Sequence, residues 1–427
     1  MEGHSFRFLH TGGFHLASTL FGIADPPEHL HDLLVEAPFR AAEGVFEAAI
    51  REEVDFLVLS GDILDPTSAG PSAVAFLQQR FAQLNARKIR VYWAASKSDL
   101  SGDLLFRLDL PANVRIFSCD SPDTVAHCRG DRQVATLTGR SWNGQRPLRA
   151  AEFSREGQEG FQIAVLYARG DVQAHTRHGV HYWALGGSST VAELFATGRE
   201  MARCPGSPQG FCPQQAGPHS CTLVSVNGEG EIRIRPLETD AVRWLEETFP
   251  VSEGAAVREV RQALRSHLER LASGQSRPLL VSLTLTGPGR FEGPLVRRRE
   301  RNELLDWLRA ELADRSPAVW PMALALEPPQ RIPADWCDDD SILGDFLRAL
   351  QEQLEGGKEP LDLQGHVPQR PLWRDIAAAL SFSDPGVVSA SLRECAVLGL
   401  DLLRGDDAAV RNAAGYASRA ENERVTA

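Results

Sequence analysis

Short, mostly apolar runs alternate along the chain with stretches in which apolar residues recur at helical spacing. Phe6 to Leu9 runs into a glycine turn at Gly12 and Gly13, the pattern of a buried strand entering a loop. Ala42, Val45, Phe46, Ala49 and Ile50 then keep helical spacing from Ala41 to Ile50, and Val54 to Leu59 is a continuous apolar strand ended by Gly61. Strand, helix, strand predicts a parallel sheet. Val74 to Leu84 is amphipathic, and strands are expected at Val91 to Ala95, Phe161 to Tyr167 and Tyr182 to Leu185. After Pro205 the texture changes: Cys221 to Val226 and Glu231 to Pro236 flank Asn227-Gly228, a hairpin signal, so a first α/β domain is expected to close near residue 240.

From 241 to 335 the order is helix (Val257, Val260, Leu264, Leu268, Leu271), strand (Leu279 to Leu285), helix (Leu304, Leu305, Leu308, Leu312) and strand (Trp320 to Leu326), a small second α/β domain. Pro328, Pro329 and Pro333 punctuate a linker, and Asp340 or Ser341 can cap a helix carrying Ile342, Leu343, Phe346, Leu347, Leu350 and Leu354. Helical segments are also expected from Trp373 to Leu380 and Val387 to Leu403. The expected division is thus 1–240, 241–335, a helical region 336–412 and a polar, flexible tail 413–427.

The chain has 427 residues, 43% of them hydrophobic and 24% charged, ordinary usage for a globular protein of two or three domains. No apolar run approaches the roughly 20 residues that span a bilayer, and Met1 to His10 shows no secretory h-region, so a cytoplasmic protein is expected. The seven cysteines form no C-x-x-C pair and read as reduced thiols. A net charge of -12 argues against a global basic field for nucleic acid but leaves room for a local basic stripe.

The segments Phe6-Arg7-Phe8-Leu9-His10-Thr11, Gly13-Phe14-His15-Leu16 and Val54-Asp55-Phe56-Leu57-Val58-Leu59-Ser60-Gly61-Asp62 resemble the calcineurin-like metallophosphoesterases, and among them the SbcD/YhaO-type DNA repair exonucleases. The likeness continues through Val91 to Asp99, Tyr182 to Gly186, Pro205 to Gly210, Gly217-Pro218, Pro236-Leu237 and Val242-Arg243-Trp244. It implies a layered α/β fold, a β-sandwich flanked by helices, with a small α/β capping domain and a C-terminal helical region. In such proteins a two-metal centre is built by D-x-H after the first strand, G-D after the second, G-N-H-D after the third, a lone His, and G-H-x-H. Two cations need several carboxylate or imidazole donors to generate a hydroxide and clamp phosphate oxygens.

At those positions this chain carries Gly13-Phe14-His15, Gly61-Asp62, Ser96-Lys97-Ser98-Asp99, Tyr167 and Gly186-Gly187-Ser188-Ser189. By the resemblance only His15 and Asp62 survive as metal ligands, while Gly13, Lys97, Tyr167, Gly187 and Ser189 replace donors and Ser98 replaces the histidine that would stabilise the attack. Even the survivors have plainer readings: His15 as a satisfied loop histidine, Asp62 as an acceptor of turn N–H groups. Lys97 is expected to pair with Asp62 as its counter-charge, since a lone buried carboxylate is costly.

The resemblance therefore implies a catalytically inactive homologue without cofactor, a scaffold or a DNA- or ATPase-binding subunit. The alternative is an active Mn²⁺-dependent exonuclease or phosphodiesterase with a rearranged site drawing on His15, Asp62, Asp65, Asp99 and His175 or His178, with His10 and His181 as further stand-ins. Arg297, Arg298, Arg299 and Arg301 open a helix whose N-terminus they oppose electrostatically; DNA backbone or an acidic partner surface would relieve this, and the plainer expectation is a solvated charge cluster balanced by Glu300, Glu303 and Asp306. The resemblance also implies an SMC-like coiled-coil ATPase partner of the SbcC/YhaN type docking on the C-terminal helices, and a homodimer. A third class, a fold relic with a regulatory small-molecule role, has no motif in its favour.

Overall fold

The computed structural model describes residues 5–23, 26, 28–65, 67–101, 108–145, 149–155, 157–167, 179–291, 293–332, 334–338, 340–356, 361–362, 381–382 and 384–403. By contact the chain divides into two units, the first comprising Met1–Glu246, Gly274–Val281 and Arg315–Trp320, the second Glu247–Ser273, Ser282–Asp314 and Pro321–Ala427.

The first unit begins with β1 (Phe6–Thr11), α1 (Glu28–Arg51), β2 (Phe56–Leu59), α2 (Pro71–Ala86), β3 (Arg90–Trp93) and β4 (Val114–Ile116). The expected parallel sheet forms: β1, β2, β3 and β4 pair in parallel in that order. The helix read from Ala41 starts earlier, at Glu28, and runs across Pro38, whose ring removes one donor without ending it. Next come β5 (Asp123–Arg129), β6 (Arg132–Arg140), β7 (Gln162–Tyr167), β8 (Tyr182–Gly186), β9 (Ala192–Ala196), β10 (Met201–Cys204), β11 (Ser220–Val226) and β12 (Ile232–Glu238). Strands β11 and β12 form the expected hairpin, whose turn is locked by Asn227 Oδ1 accepting from the amides of Glu229 and Glu231.

Two six-stranded sheets result, ordered β12-β11-β1-β2-β3-β4 and β5-β6-β7-β8-β10-β9. The period-two alternation of strands decides what lies between them. Phe56 and Val58 of β2 join Phe6, Phe8 and Tyr92 against Leu137, Ile163, Val165 and Tyr182 of the second sheet, closing a β-sandwich. Leu57 and Leu59 face the other way, onto the Val45, Phe46, Leu77 and Phe81 faces of α1 and α2. At about 25 cal/mol per Å² of buried apolar surface, these two layers are the principal stabilisation of the unit. The fold is thus α/β, a helix-flanked sandwich.

In the second unit, α3 (Val257–Ala272) and α4 (Arg298–Leu312) bury Val260, Leu264, Leu268 and Leu304, Leu308, Leu312 at helical spacing. A three-stranded sheet orders β13 (Arg243–Pro250), β14 (Leu279–Thr286) and β15 (Val319–Leu326) in sequence. After a short α5 (Ala334–Cys337), α6 (Ile342–Gly356) and α7 (Pro385–Leu403) pack together, and Leu343, Leu347, Leu350, Leu392, Ala396 and Leu400 share one apolar cluster with Val296 and Ile332. The helix expected at Trp373 to Leu380 and the tail 413–427 lie outside the described residues.

Candidate functional site

Parallel strands leave their C-terminal ends on one side of the sheet, and the loops leaving β1, β2 and β3 meet there. The β1 loop is laced to the β2 loop by backbone bonds: Gly13 N to Gly61 O (2.9 Å), His15 N to Asp62 O (2.9 Å) and Leu16 N to Ile63 O (3.0 Å). His15 and Asp62 stand on facing loops, both with positive φ (44° and 55°), a conformation uncommon for residues other than glycine. Asp62 is buried and its amide donates to Ser96 Oγ (3.2 Å).

The β3 loop is organised by Asp99, which is fully buried. Its Oδ1 accepts from the amides of Ile63 (2.7 Å) and Leu64 (2.9 Å), and its Oδ2 accepts from Ser96 N (2.9 Å) and Ser96 Oγ (3.2 Å). Asp99 is therefore a pin that ties the Asp62 loop to the β3 loop, both of its oxygens engaged. Burial pushes its pKa up to about 6 from 3.8, aided by the nearby Asp62 charge and opposed by the backbone donors. Asp65, the other carboxylate considered for a rearranged site, accepts from Ser18 Oγ (2.8 Å), Thr67 N (2.9 Å), Thr67 Oγ1 (2.7 Å) and Ser68 Oγ (2.7 Å). Burial alone would raise its pKa, but these donors together hold it well below the usual carboxylate range.

Tyr167 ends β7, buried, with its ring stacked on Trp142 at 5.6 Å between centroids. It lies so close to the β2 loop that a Cβ on Gly61 would stand 2.5 Å from Tyr167 Cδ2, and Gly61 also has φ +89°. An aromatic wall thus fills the space beside Gly61. Gly186, at the end of β8, has its backbone against Ser60, where a Cβ would lie 1.6 Å from the Ser60 carbonyl oxygen; only glycine permits that approach. Gly187 turns the chain at φ +86°, and the Ser189 carbonyl accepts from Ser207 N (3.1 Å) and Ser207 Oγ (3.2 Å).

The expected pairing of Lys97 with Asp62 is not what the structure shows. Lys97 is exposed, its stem lies over Gly144, and among the described residues it forms no ion pair. An ammonium keeps its hydration on the surface at no cost, whereas entering the site would strip it. Ser98 is half-buried beside it.

Two other histidines considered as stand-ins are placed away from the site or occupied. His10 is fully buried between the sheets, with Nδ1 3.0 Å from Tyr182 Oη and Nε2 3.1 Å from Ser60 Oγ. Burial, with the Arg203 charge, pushes its pKa down to about 3, so it is a neutral cross-link. His181 precedes β8, at the opposite end of that strand from Gly186. Its Nδ1 accepts from Gln162 N (3.0 Å) and its ring stacks on Phe161. His175 and His178 lie outside the described residues. Reading ligands from strand ends alone misses the buried networks of Asp99 and of Ser207 with His219 (Nδ1 to Ser207 O, 2.8 Å), because a side chain's partners are not written in sequence spacing.

Among the described residues no group of three His, Cys, Asp or Glu side chains converges where a metal ion could sit. With Asp99 and Asp65 occupied by hydrogen-bond donors, these residues do not fit a two-metal centre.

The basic run divides in two. Arg301 is buried, and its Nη1 donates to the carbonyls of Leu295 (2.8 Å) and Val296 (2.6 Å), so it braces the start of α4 and offers no surface charge. Arg298 and Arg299 are exposed, Arg299 pairing with Glu303 (3.1 Å). The anion at this helix N-terminus is intramolecular: Asp401 Oδ1 on α7 accepts from Arg298 N at 2.6 Å.

Residues 244–327 match the family model described as "Metallophosphoesterase YhaO, middle domain". The uncharacterized metallophosphoesterase YhaO of Bacillus subtilis (strain 168) is 26% identical over 334 residues, covering 74% of this chain and 80% of the relative. Among solved structures, TT1561 of Thermus thermophilus covers 54% of this chain and 98% of its own, with TM-score 0.32 and 11% identity. A dimetal phosphatase from Danio rerio covers 55% and 96%, with TM-score 0.34 and 9% identity. Among the described residues no helix is long and apolar enough to cross a membrane.

Proposed function

We propose that this chain is a catalytically inactive relative of the YhaO-type metallophosphoesterases, retained as a scaffold or binding subunit. The observation that carries the reading is the state of the β3 loop: its fully buried carboxylate, Asp99, is sealed into four hydrogen bonds with Ser96 and with the loop that bears Asp62. With Tyr167 filling the space beside Gly61, His15 and Asp62 are left as donors, too few to give each of two cations a protein shell. Without metal there is neither a generated hydroxide nor a charge clamp at phosphorus. The fold and loop geometry persist because the hydrogen-bonded loops stabilise the sandwich whatever its chemistry.

In this reading the protein contributes surfaces. Exposed Arg298 and Arg299 suit DNA backbone, and the apolar side chains Ile342, Leu398 and Leu402, 77%, 48% and 65% exposed on α6 and α7, suit helix-in-groove docking to a coiled-coil ATPase. One observation favours the alternative, an active metal-dependent nuclease: His15 and Asp62 both keep a strained left-handed backbone, and such strain clusters at working sites.

Metal content and turnover, measured on one sample, separate the two. After dialysis against Mn²⁺, mass spectrometry should find far less than one manganese per chain, with no hydrolysis of a single-stranded oligonucleotide or a simple phosphodiester. About two manganese per chain, with cleavage lost in His15→Ala and Asp62→Ala, would establish the active alternative.

A further inference from the structure

At the N-terminal edge of the parallel strands, opposite the candidate centre, the first unit has a cavity of about 520 Å³. Asp55 precedes β2, Arg90 opens β3, Arg87 and Lys88 follow α2, and His127 and Arg129 close β5; all line it. The four residues of β2 separate it from Asp62, roughly 13 Å of strand.

Its charge is one-sided in an acidic chain. Four cations, Arg87, Lys88, Arg90 and Arg129, face a single carboxylate, Asp55, and that carboxylate is already held by both arms of Arg129 at 2.7 Å. Among the described residues Arg87, Lys88 and Arg90 form no ion pair; the Arg90 side chain donates to the Ala112 carbonyl (3.2 Å). Burial lowers the pKa of His127 to about 4 and keeps it neutral, against the raising effect of Asp55, with Arg90 and Arg129 adding smaller lowering contributions. An adjoining cavity of about 490 Å³ is the internal comparison, since there Arg7, Arg129 and Arg233 are matched by Glu53, Asp55 and Glu231. Cations at the C-terminal end of α2 complement its dipole, which explains Arg87 or Lys88 singly. It does not explain why Arg90, from a different element, converges on the same hollow.

We propose that this cavity binds an oligophosphate, an anion of two or more linked phosphates. Guanidinium forks pair bidentately with phosphate oxygens, and the volume falls in the range of small-ligand sites. A chain of linked phosphates can engage several of these cations at once, so affinity should rise with the number of linked phosphates. The source is either a nucleotide's phosphate tail or a free inorganic chain.

Calorimetric titration of the metal-free full chain at low salt tests this, with tripolyphosphate, ATP and orthophosphate as probes. Tripolyphosphate should bind saturably at one site, at least tenfold tighter than orthophosphate. ATP within about threefold of tripolyphosphate, or tighter, assigns the nucleotide tail; markedly weaker ATP assigns the inorganic chain. Arg87→Gln with Lys88→Asn, the latter because asparagine tolerates the φ of +60° at that position, should weaken binding at least tenfold with the ligand-free melting temperature unchanged. Arg90→Gln should do the same independently, and Arg233→Gln in the balanced cavity should leave affinity within twofold. No saturable binding up to 1 mM, or an affinity unchanged in both variants, overturns the proposal.

Discussion

Replacing Asp99 with Asn asks whether a single buried carboxylate holds the candidate site together. In the native loop Asp99 Oδ1 takes the amides of Ile63 and Leu64, and Oδ2 takes the amide and hydroxyl of Ser96. An asparagine keeps the first pair. Its NH₂ group then faces the Ser96 amide donor to donor, so one bond is lost and a buried N–H is orphaned, a cost of about 2–4 kcal/mol. That cost is partly offset at neutral pH. Because burial raises the folded pKa to about 6 from 3.8, the folded state binds the extra proton more readily. The stability from Asp99 is therefore fully present below pH 3.8 and declines as pH rises through 6, by about 3 kcal/mol in all.

The substituted asparagine does not titrate, so the variant's deficit should be largest in acid and should shrink by about 2 kcal/mol between about pH 4.5 and 7.5. Urea unfolding of both proteins at a series of pH values reads this difference directly. It also cancels the opposite contribution of His10, whose pKa, lowered to about 3 by burial, destabilises both proteins equally on acidification. A deficit constant across the series would refute the reasoning, because it would mean that Asp99 ionises as freely in the fold as in the unfolded chain. Amide exchange at Ile63 and Leu64 adds a local readout: both should exchange faster in Asp99→Ala.

Lys97→Ala should shift unfolding free energy by less than about 0.5 kcal/mol, because the side chain is exposed and unpaired among the described residues; a clear drop in melting temperature would restore the Lys97–Asp62 pair. Tyr167→Ala removes a buried ring stacked on Trp142 and should cost about 3–5 kcal/mol by thermal melting, with an unchanged midpoint contradicting the packing. Gly61→Ala places a Cβ 2.5 Å from Tyr167 at a positive φ and should destabilise in denaturant titration, more severely than the same change at exposed Gly157. Asp401→Ala removes the acceptor of the Arg298 amide and should cost about 1 kcal/mol by the same method; no change would leave the α4 N-terminus capped by water.

Much of the first unit is legible from local pattern. Apolar-rich runs mark β1, β2 and β3, because strands buried on both faces must be apolar at most positions: β2 is buried throughout, and in β1 and β3 only Arg7 and Arg90 are exposed. Asn227-Gly228 marks its hairpin correctly, although the positive φ that closes the turn falls two residues on, at Gly230 (80°). The hairpin of β5 and β6 is not legible: β5 carries Asp123, Thr124, His127 and Arg129 on a half-exposed edge, so its alternation never rises above that of a polar loop. Register against a neighbour, not composition, makes it a strand.

At the candidate site, the order of residues along the chain suffices to say which side chains stand at the strand ends: Gly13, His15, Asp62, Lys97, Ser98, Asp99, Tyr167, Gly187 and Ser189. What each one does was settled by folding. Packing turned Lys97 outward, sealed Asp99 into the neighbouring loop, pressed Tyr167 onto Gly61, and drew Asp401 from 103 residues away to cap the helix that begins at Arg298. Identity at a position follows from the strand-loop pattern. Whether a carboxylate is a ligand, a cap or a pin depends on which donors the folded chain brings within about 3 Å of it, and that distance is set by packing between segments remote in sequence.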